Sequence, residues 1–187
     1  MICHCEPFAF CHSEQSEESH LWLRVNSAKQ SRILDAMGKI LNWNELKQTI
    51  DKLKADNNKI VFTNGCFDII HVGHIRYLKE AKALGDILVI GLNSDKSVSK
   101  IKPARPINPQ NYRAEVLSSL EMVDYVTIFD EETPYELIKL VQPDVLVKGG
   151  DWKKEEIVGS DIAKKTHSLP YIKGVSTSEI IEKIKRL

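Results

Sequence analysis

The sequence predicts an α/β protein, a doubly wound parallel sheet with helices on both faces. Two observations carry this reading. Four apolar runs, Ile60 to Phe62, Asp86 to Asn93, Tyr125 to Phe129 and Val145 to Val147, are hydrophobic on both faces, as strands covered from both sides are. Helical patterns alternate with them, which calls for crossover connections and hence parallel strands.

Taken in order, Trp43 to Ala55 reads as a lead-in amphipathic helix, with Leu46, Ile50 and Leu53 at helical spacing. The strand Ile60 to Phe62 is followed by a turn at Asn64-Gly65 and a helix from Ile75 to Leu84. Asp86 to Asn93 is the second strand, and Lys100 and Lys102 then lie in a flexible stretch ending at Pro103. A helix from Asn108 to Met122, the strand Tyr125 to Phe129 and a helix from Pro134 to Val141 come next. Val145 to Val147 is a further strand, and Ser178 to Arg186 closes the chain as a helix.

The totals set limits. At 187 residues the chain can hold one domain with a substantial core. Lys plus Arg and Asp plus Glu both number 26, so no global charge attracts nucleic acid or an anionic membrane. No apolar run approaches the roughly 20 residues needed to span a bilayer. Four cysteines, three of them before residue 12, make no disulfide framework for this length. The expectation is a cytoplasmic protein.

Residues 1–36 stand apart from the domain expected over 37–187. They hold Cys3, Cys5, Cys11, His4, His12 and His20 with no sustained period, and lack the basic and apolar regions of a signal peptide. A zinc knot from Cys3, Cys5, Cys11 and His12 would match no standard ligand spacing. The segment reads as a disordered extension, or as upstream sequence before a true start at Met37.

The chemistry-bearing residues gather at strand ends and helix starts, where open parallel sheets bind ligands. His71-Val72-Gly73-His74 puts two imidazoles three residues apart at a helix start, where free N–H groups and the dipole attract anions. Gly73 leaves room for a phosphate to approach the backbone. Arg113 sits one turn into a helix, and its fork suits bidentate phosphate recognition. Lys148-Gly149-Gly150-Asp151 follows a strand, its glycines permitting a tight turn close to a ligand. Gly174-Val-Ser176-Thr177-Ser178 opens the last helix, with Ser176 or Thr177 as its N-cap.

The His-x-Gly-His segment resembles the signature of the nucleotidyltransferase superfamily, which implies a Rossmann-like fold. Across Lys59 to Leu187 the chain is similar to the adenylyltransferase half of bifunctional heptose-phosphate kinase/adenylyltransferases. Thr-Asn-Gly-Cys-Phe-Asp, Asn-Ser-Asp, Arg-Pro-Ile-Asn-Pro and Leu-Val-Lys-Gly-Gly-Asp-Trp carry the match. The resemblance implies transfer of AMP from MgATP to D-glycero-β-D-manno-heptose 1-phosphate, for lipopolysaccharide core or surface-glycan synthesis, by a homodimer. It implies catalytic roles for His71, His74, Lys102 and Arg113, and nucleotide contacts from Asn64, Gly65, Cys66, Phe67, Gly73, Lys100, Lys148, Gly149, Gly150, Asp151, Ser176, Thr177 and Ser178. Asp68, Asn93, Asp95 and Arg105 would bind the acceptor, and no residue is expected to ligate a resident metal. Glycerol-3-phosphate cytidylyltransferases share the His-x-Gly-His pair, but carry an Arg where this chain has Tyr171 and Gly-Asp-Asp where it has Gly149-Gly150-Asp151. A nucleotide-binding regulator without turnover is the alternative from another class.

Overall fold

A computed structural model describes residues 39–170 and 174–187. The Cys/His cluster, the Met37 boundary and Tyr171 lie outside the described residues.

Asn42 starts the first helix, α1 (Trp43–Ala55). Its side chain accepts from the Glu45 amide, and Glu45 reciprocates on the Asn42 amide. The helix buries Leu46 and Ile50. Next come β1 (Ile60–Gly65), α2 (Val72–Lys82), β2 (Ile87–Asn93), α3 (Asp95–Ile101), α4 (Gln110–Ser118), β3 (Tyr125–Phe129) and α5 (Tyr135–Val141). The chain finishes with β4 (Val145–Gly149), a 3-10 turn at Lys154–Glu156, β5 (Lys165–Leu169) and α6 (Thr177–Ile184).

The five strands pair in the order β3-β2-β1-β4-β5, and every pairing is parallel. Side chains alternate across each strand, so the sheet carries a core on each face. Val61, Leu88, Ile90, Val126 and Val147 pack on one side with Leu78, Ala81 and Leu117 from the helices. Ile60, Phe62, Val89 and Leu146 pack on the other with Leu46, Ile50, Leu137 and Ile138. This is the doubly wound, Rossmann-like arrangement that the apolar runs predict. The chain winds outward from β1 in one direction, then crosses back to β4 beside it. The switch point, where such sheets open a ligand crevice, therefore lies between β1 and β4.

Several boundaries differ from the sequence expectation. Asn64 and Gly65 continue β1 and pair with Gly91 and Leu92, instead of forming a turn. The stretch expected to be flexible before Pro103 is largely helix: Ser94 caps α3 by accepting from the Ser97 amide, and Ser97 and Val98 are buried. β5 has no counterpart in the sequence reading. It pairs only with β4 and leaves most of Lys165–Leu169 exposed, so it needs no apolar run. The helix after β1 starts at Val72, the fourth is confined to Gln110–Ser118 and the last to Thr177–Ile184.

Candidate active site

The site forms where β1 hands the chain to α2. His71 is the N-cap of that helix, with an extended backbone (φ −140°, ψ 171°) and no side-chain cap hydrogen bond. His74 is three residues on, and the two rings stack with centroids 3.8 Å apart. The Phe67 ring lies 5.3 Å from His74. Neither Nδ1 atom has a hydrogen-bond partner. Burial is the main cause that pushes His74 down to about 4, with the His71 and Lys102 charges adding to it. Burial also lowers His71, against an opposing pull from Glu179. Both imidazoles are therefore neutral at pH 7, each with one ring N–H to donate.

Gly73 is closely covered by its neighbours. A Cβ there would stand 2.9 Å from His71 Nδ1 and 3.7 Å from the Val175 carbonyl. Glycine is required because the His71 ring folds over it, so the room it leaves is occupied by imidazole. The same spot draws in the start of α6. Ser176 caps that helix by accepting from the Glu179 amide, and Thr177 Oγ1 donates to the Ile69 carbonyl at 3.1 Å. Two helix N-termini thus converge on the histidine pair. Ser178 is exposed on the first turn of α6.

Lys102, the C-cap of α3, is exposed and close enough to disfavour protonation of His74. Lys100 is exposed, 3.8 Å from Glu132. Across the switch point, Lys148 on β4 donates to Asn64 Oδ1 on β1 at 3.3 Å. Burial lowers its pKa, and among the described residues no carboxylate lies within ion-pair distance of it. Gly149 ends β4, and its carbonyl accepts from Trp152 Nε1 at 3.0 Å. Gly150 takes a positive φ of 115°, while Asp151 beyond it is exposed.

Arg113 is held from within the protein. Its side chain is buried, with Nε on the Asn108 carbonyl, Nη1 on the carbonyls of Cys66 and Asn93, and Nη2 on Asp95 Oδ1. Four of its five N–H groups are thereby committed to protein acceptors. Asp68 and Arg105 also have partners within the protein. The Asp68 carboxylate is buried and accepts from the Ile107 amide at 2.9 Å and the Asn108 amide at 2.8 Å. Arg105 Nε lies 2.8 Å from it, as an ion pair without hydrogen-bond alignment. These residues pin the segment 105–109 to the β1–α2 loop. Asn93 is buried and donates to Ser97, while Asp95 keeps one oxygen unused by Arg113.

Sequence reading missed two contributors. Glu179 sits near His71, and only its place three residues after a capping Ser hinted at it. Tyr77 bonds Thr63 and the Val147 carbonyl, tying α2 to β1 and β4.

The cytidylyltransferase-like family profile matches residues 62–183. The chain is 54% identical over 147 residues to the bifunctional protein HldE of a Nitratiruptor species, covering 78% of this chain and 32% of that protein. It is 52% identical over 149 residues to the bifunctional protein HldE of Helicobacter pylori (strain 26695), covering 79% and 31%. The chain thus spans about a third of the length of these curated relatives. The crystal structure of the lipopolysaccharide core biosynthesis protein from Thermoplasma volcanium GSS1 superposes with a TM-score of 0.54 at 32% identity, over 62% of this chain and 98% of that one. Pantoate-beta-alanine ligase from Francisella tularensis shares the fold alone, with a TM-score of 0.52 at 17% identity over 79% of this chain and 78% of that one. Among the described residues no helix is long and apolar enough to cross a membrane.

Proposed function

The chain belongs to the cytidylyltransferase-like family, and from that premise we propose that it transfers AMP from ATP to D-glycero-β-D-manno-heptose 1-phosphate, releasing pyrophosphate. The observation that carries the reading is the neutral, stacked pair His71–His74 at a helix start, with a second helix start and Lys102 beside it. The motif match to heptose-phosphate adenylyltransferases favours this acceptor. The Thermoplasma volcanium relative, named for lipopolysaccharide core biosynthesis, favours a product used in surface glycans. Spanning about a third of relatives named bifunctional agrees with one activity of two.

A phosphate oxygen of the sugar attacks the α-phosphorus in line, the α-phosphorus–oxygen bond to pyrophosphate breaks, and no covalent enzyme intermediate forms. The attacking phosphate is already anionic, so no strong base is needed. Catalysis comes from positioning and from stabilising charge as it shifts. His71 and His74 donate to the α-phosphate oxygens, with the first-turn amides of α2 assisting. Lys100, Lys102 and the Ser176–Ser178 helix start bind the β- and γ-phosphates and the departing pyrophosphate. Asn64 to Phe67 and Lys148 to Asp151 line the nucleotide crevice, and Asn93 and Asp95 border the acceptor. Mg²⁺ arrives with ATP. Among the described residues no cluster of three or more acidic, His or Cys ligands offers it a cage. The proposed setting is a cytoplasmic homodimer.

The test is pyrophosphate release from ATP and from CTP, each with a panel of sugar and polyol phosphates. Release only with ATP and a heptose 1-phosphate is the expected result. Release with CTP and glycerol 3-phosphate would replace the assignment with a cytidylyltransferase. No release with any pair would leave a nucleotide-binding regulator.

A further inference from the structure

A paired catalytic imidazole is usually aimed by a hydrogen bond from its second ring nitrogen to a carboxylate or carbonyl. Here both Nδ1 atoms lack that bond, so packing alone must aim the rings. The packing comes from Phe67, which contacts His74, which in turn stacks on His71. Phe67 is buried and holds a φ of 41°, in the left-handed region that a bulky residue adopts only under constraint.

The constraint is visible on both sides of it. Before it, the Cys66 carbonyl accepts from Arg113 Nη1 at 2.6 Å. After it, the Asp68 carboxylate takes the Ile107 and Asn108 amides, and the Asp68 carbonyl accepts from Asn108 Nδ2 at 2.8 Å. Arg113 also holds the Asn108 carbonyl, so one guanidinium fastens both the β1–α2 loop and the segment that clamps Asp68. Gly65 completes the fit, since a Cβ there would stand 3.0 Å from the Phe67 ring.

We propose that Arg113 is a positioning residue for the reaction: by holding the Cys66 carbonyl it fixes Phe67 as the wall that aims the His74–His71 pair. The proposal rests on the nucleotidyl-transfer reading for its kinetic consequence, and on the structure alone for its effect on His74.

The test uses Arg113→Lys, which keeps the charge but cannot serve four acceptors, and Phe67→Leu, which shortens the wall and leaves the clamp intact. Each should lower kcat by about 10- to 100-fold, the cost of an ångström-scale misplacement, and in Arg113→Lys KM for ATP should change less than about threefold. The double variant should be little worse than either single one, because both act through one contact. Histidine side-chain NMR gives a readout independent of turnover. The groups facing the pair are Lys102, from the end of α3, and Glu179, from α6, and neither is altered. In both variants water should reach His74 and raise its pKa toward the ordinary 6.5.

A tenfold or larger rise in KM for ATP at constant kcat in Arg113→Lys would overturn the proposal, making the residue a phosphate ligand. An unchanged His74 titration in Phe67→Leu would overturn it as well. If Arg113→Lys fails to fold, Phe67→Leu decides alone. A wild-type protein that releases no pyrophosphate with any substrate pair refutes the enzymatic reading, while the His74 titration still decides the wall.

Discussion

His74 and Lys102 stand close together and should fail in different ways. His74 is half-buried and neutral, so in the proposed reaction it contributes an N–H where charge develops and little to the docking of ATP. His74→Ala should lower kcat by roughly a hundredfold or more with a smaller effect on KM, comparable to removing an oxyanion donor. Lys102 is exposed, and in the proposed reaction it acts on phosphates distant from the bond that forms. Lys102→Ala should raise KM for ATP in steady-state assays, and a rise confined to the sugar phosphate would reassign it. The histidine pair was legible in the sequence because spacing around a glycine fixes its position on a helix start. The hydrogen bonds of Arg113 were not. A guanidinium in a helix is compatible with a phosphate or with backbone carbonyls, and only the fold brings the carbonyls of Cys66, Asn93 and Asn108 to it. Asp68 was hidden for the same reason, since its partners are amides about forty residues away.

At the scale of elements, α6 is the most vulnerable part of the site. It has no fully buried residue, and its first turn depends on Ser176 as the N-cap. Ser176→Ala should cost about 1 kcal/mol and fray that turn. Urea denaturation and hydrogen exchange at the amides of residues 177–179 would measure it, with protection unchanged if the cap is dispensable. Strands with two covered faces announced themselves as apolar runs, and β1 to β4 were all found that way. β5 did not. Lys165-Thr-His-Ser-Leu169 is polar because it is an edge strand with one neighbour. α3 was hidden by its length and polarity, though Ser94, three residues before the buried Ser97, was a readable capping signal.

For the whole molecule, the half-buried imidazole pair makes stability depend on pH in the acid range. The folded pKa of His74, about 4, lies below the ordinary 6.5 that an unfolded chain would show. Between these values the unfolded state binds more protons than the folded one, so stability rises with pH across that window. The contribution is complete above about 6.5 and is lost as pH falls toward 4. His71 adds in the same direction. Urea midpoints measured from pH 7 to pH 4 should therefore fall, and His74→Ala should flatten part of the slope. An identical slope in the variant would show that other groups govern it.

The strand order has one consequence in the time domain. Residues 61 and 145 are paired neighbours across the switch point, 84 positions apart in sequence, whereas β2 pairs with β1 across 27 positions (61 with 88) and β3 with β2 across 36 (89 with 125). As the chain emerges from a ribosome, a three-stranded sheet of β3, β2 and β1 can assemble while one edge of β1 is still bare. The nucleotide crevice gains its second wall only after Gly149 has been made. Until then the histidine motif is attached to a sheet margin, exposed to misplaced strand pairing. The candidate site is thus among the last parts of the sheet to be enclosed.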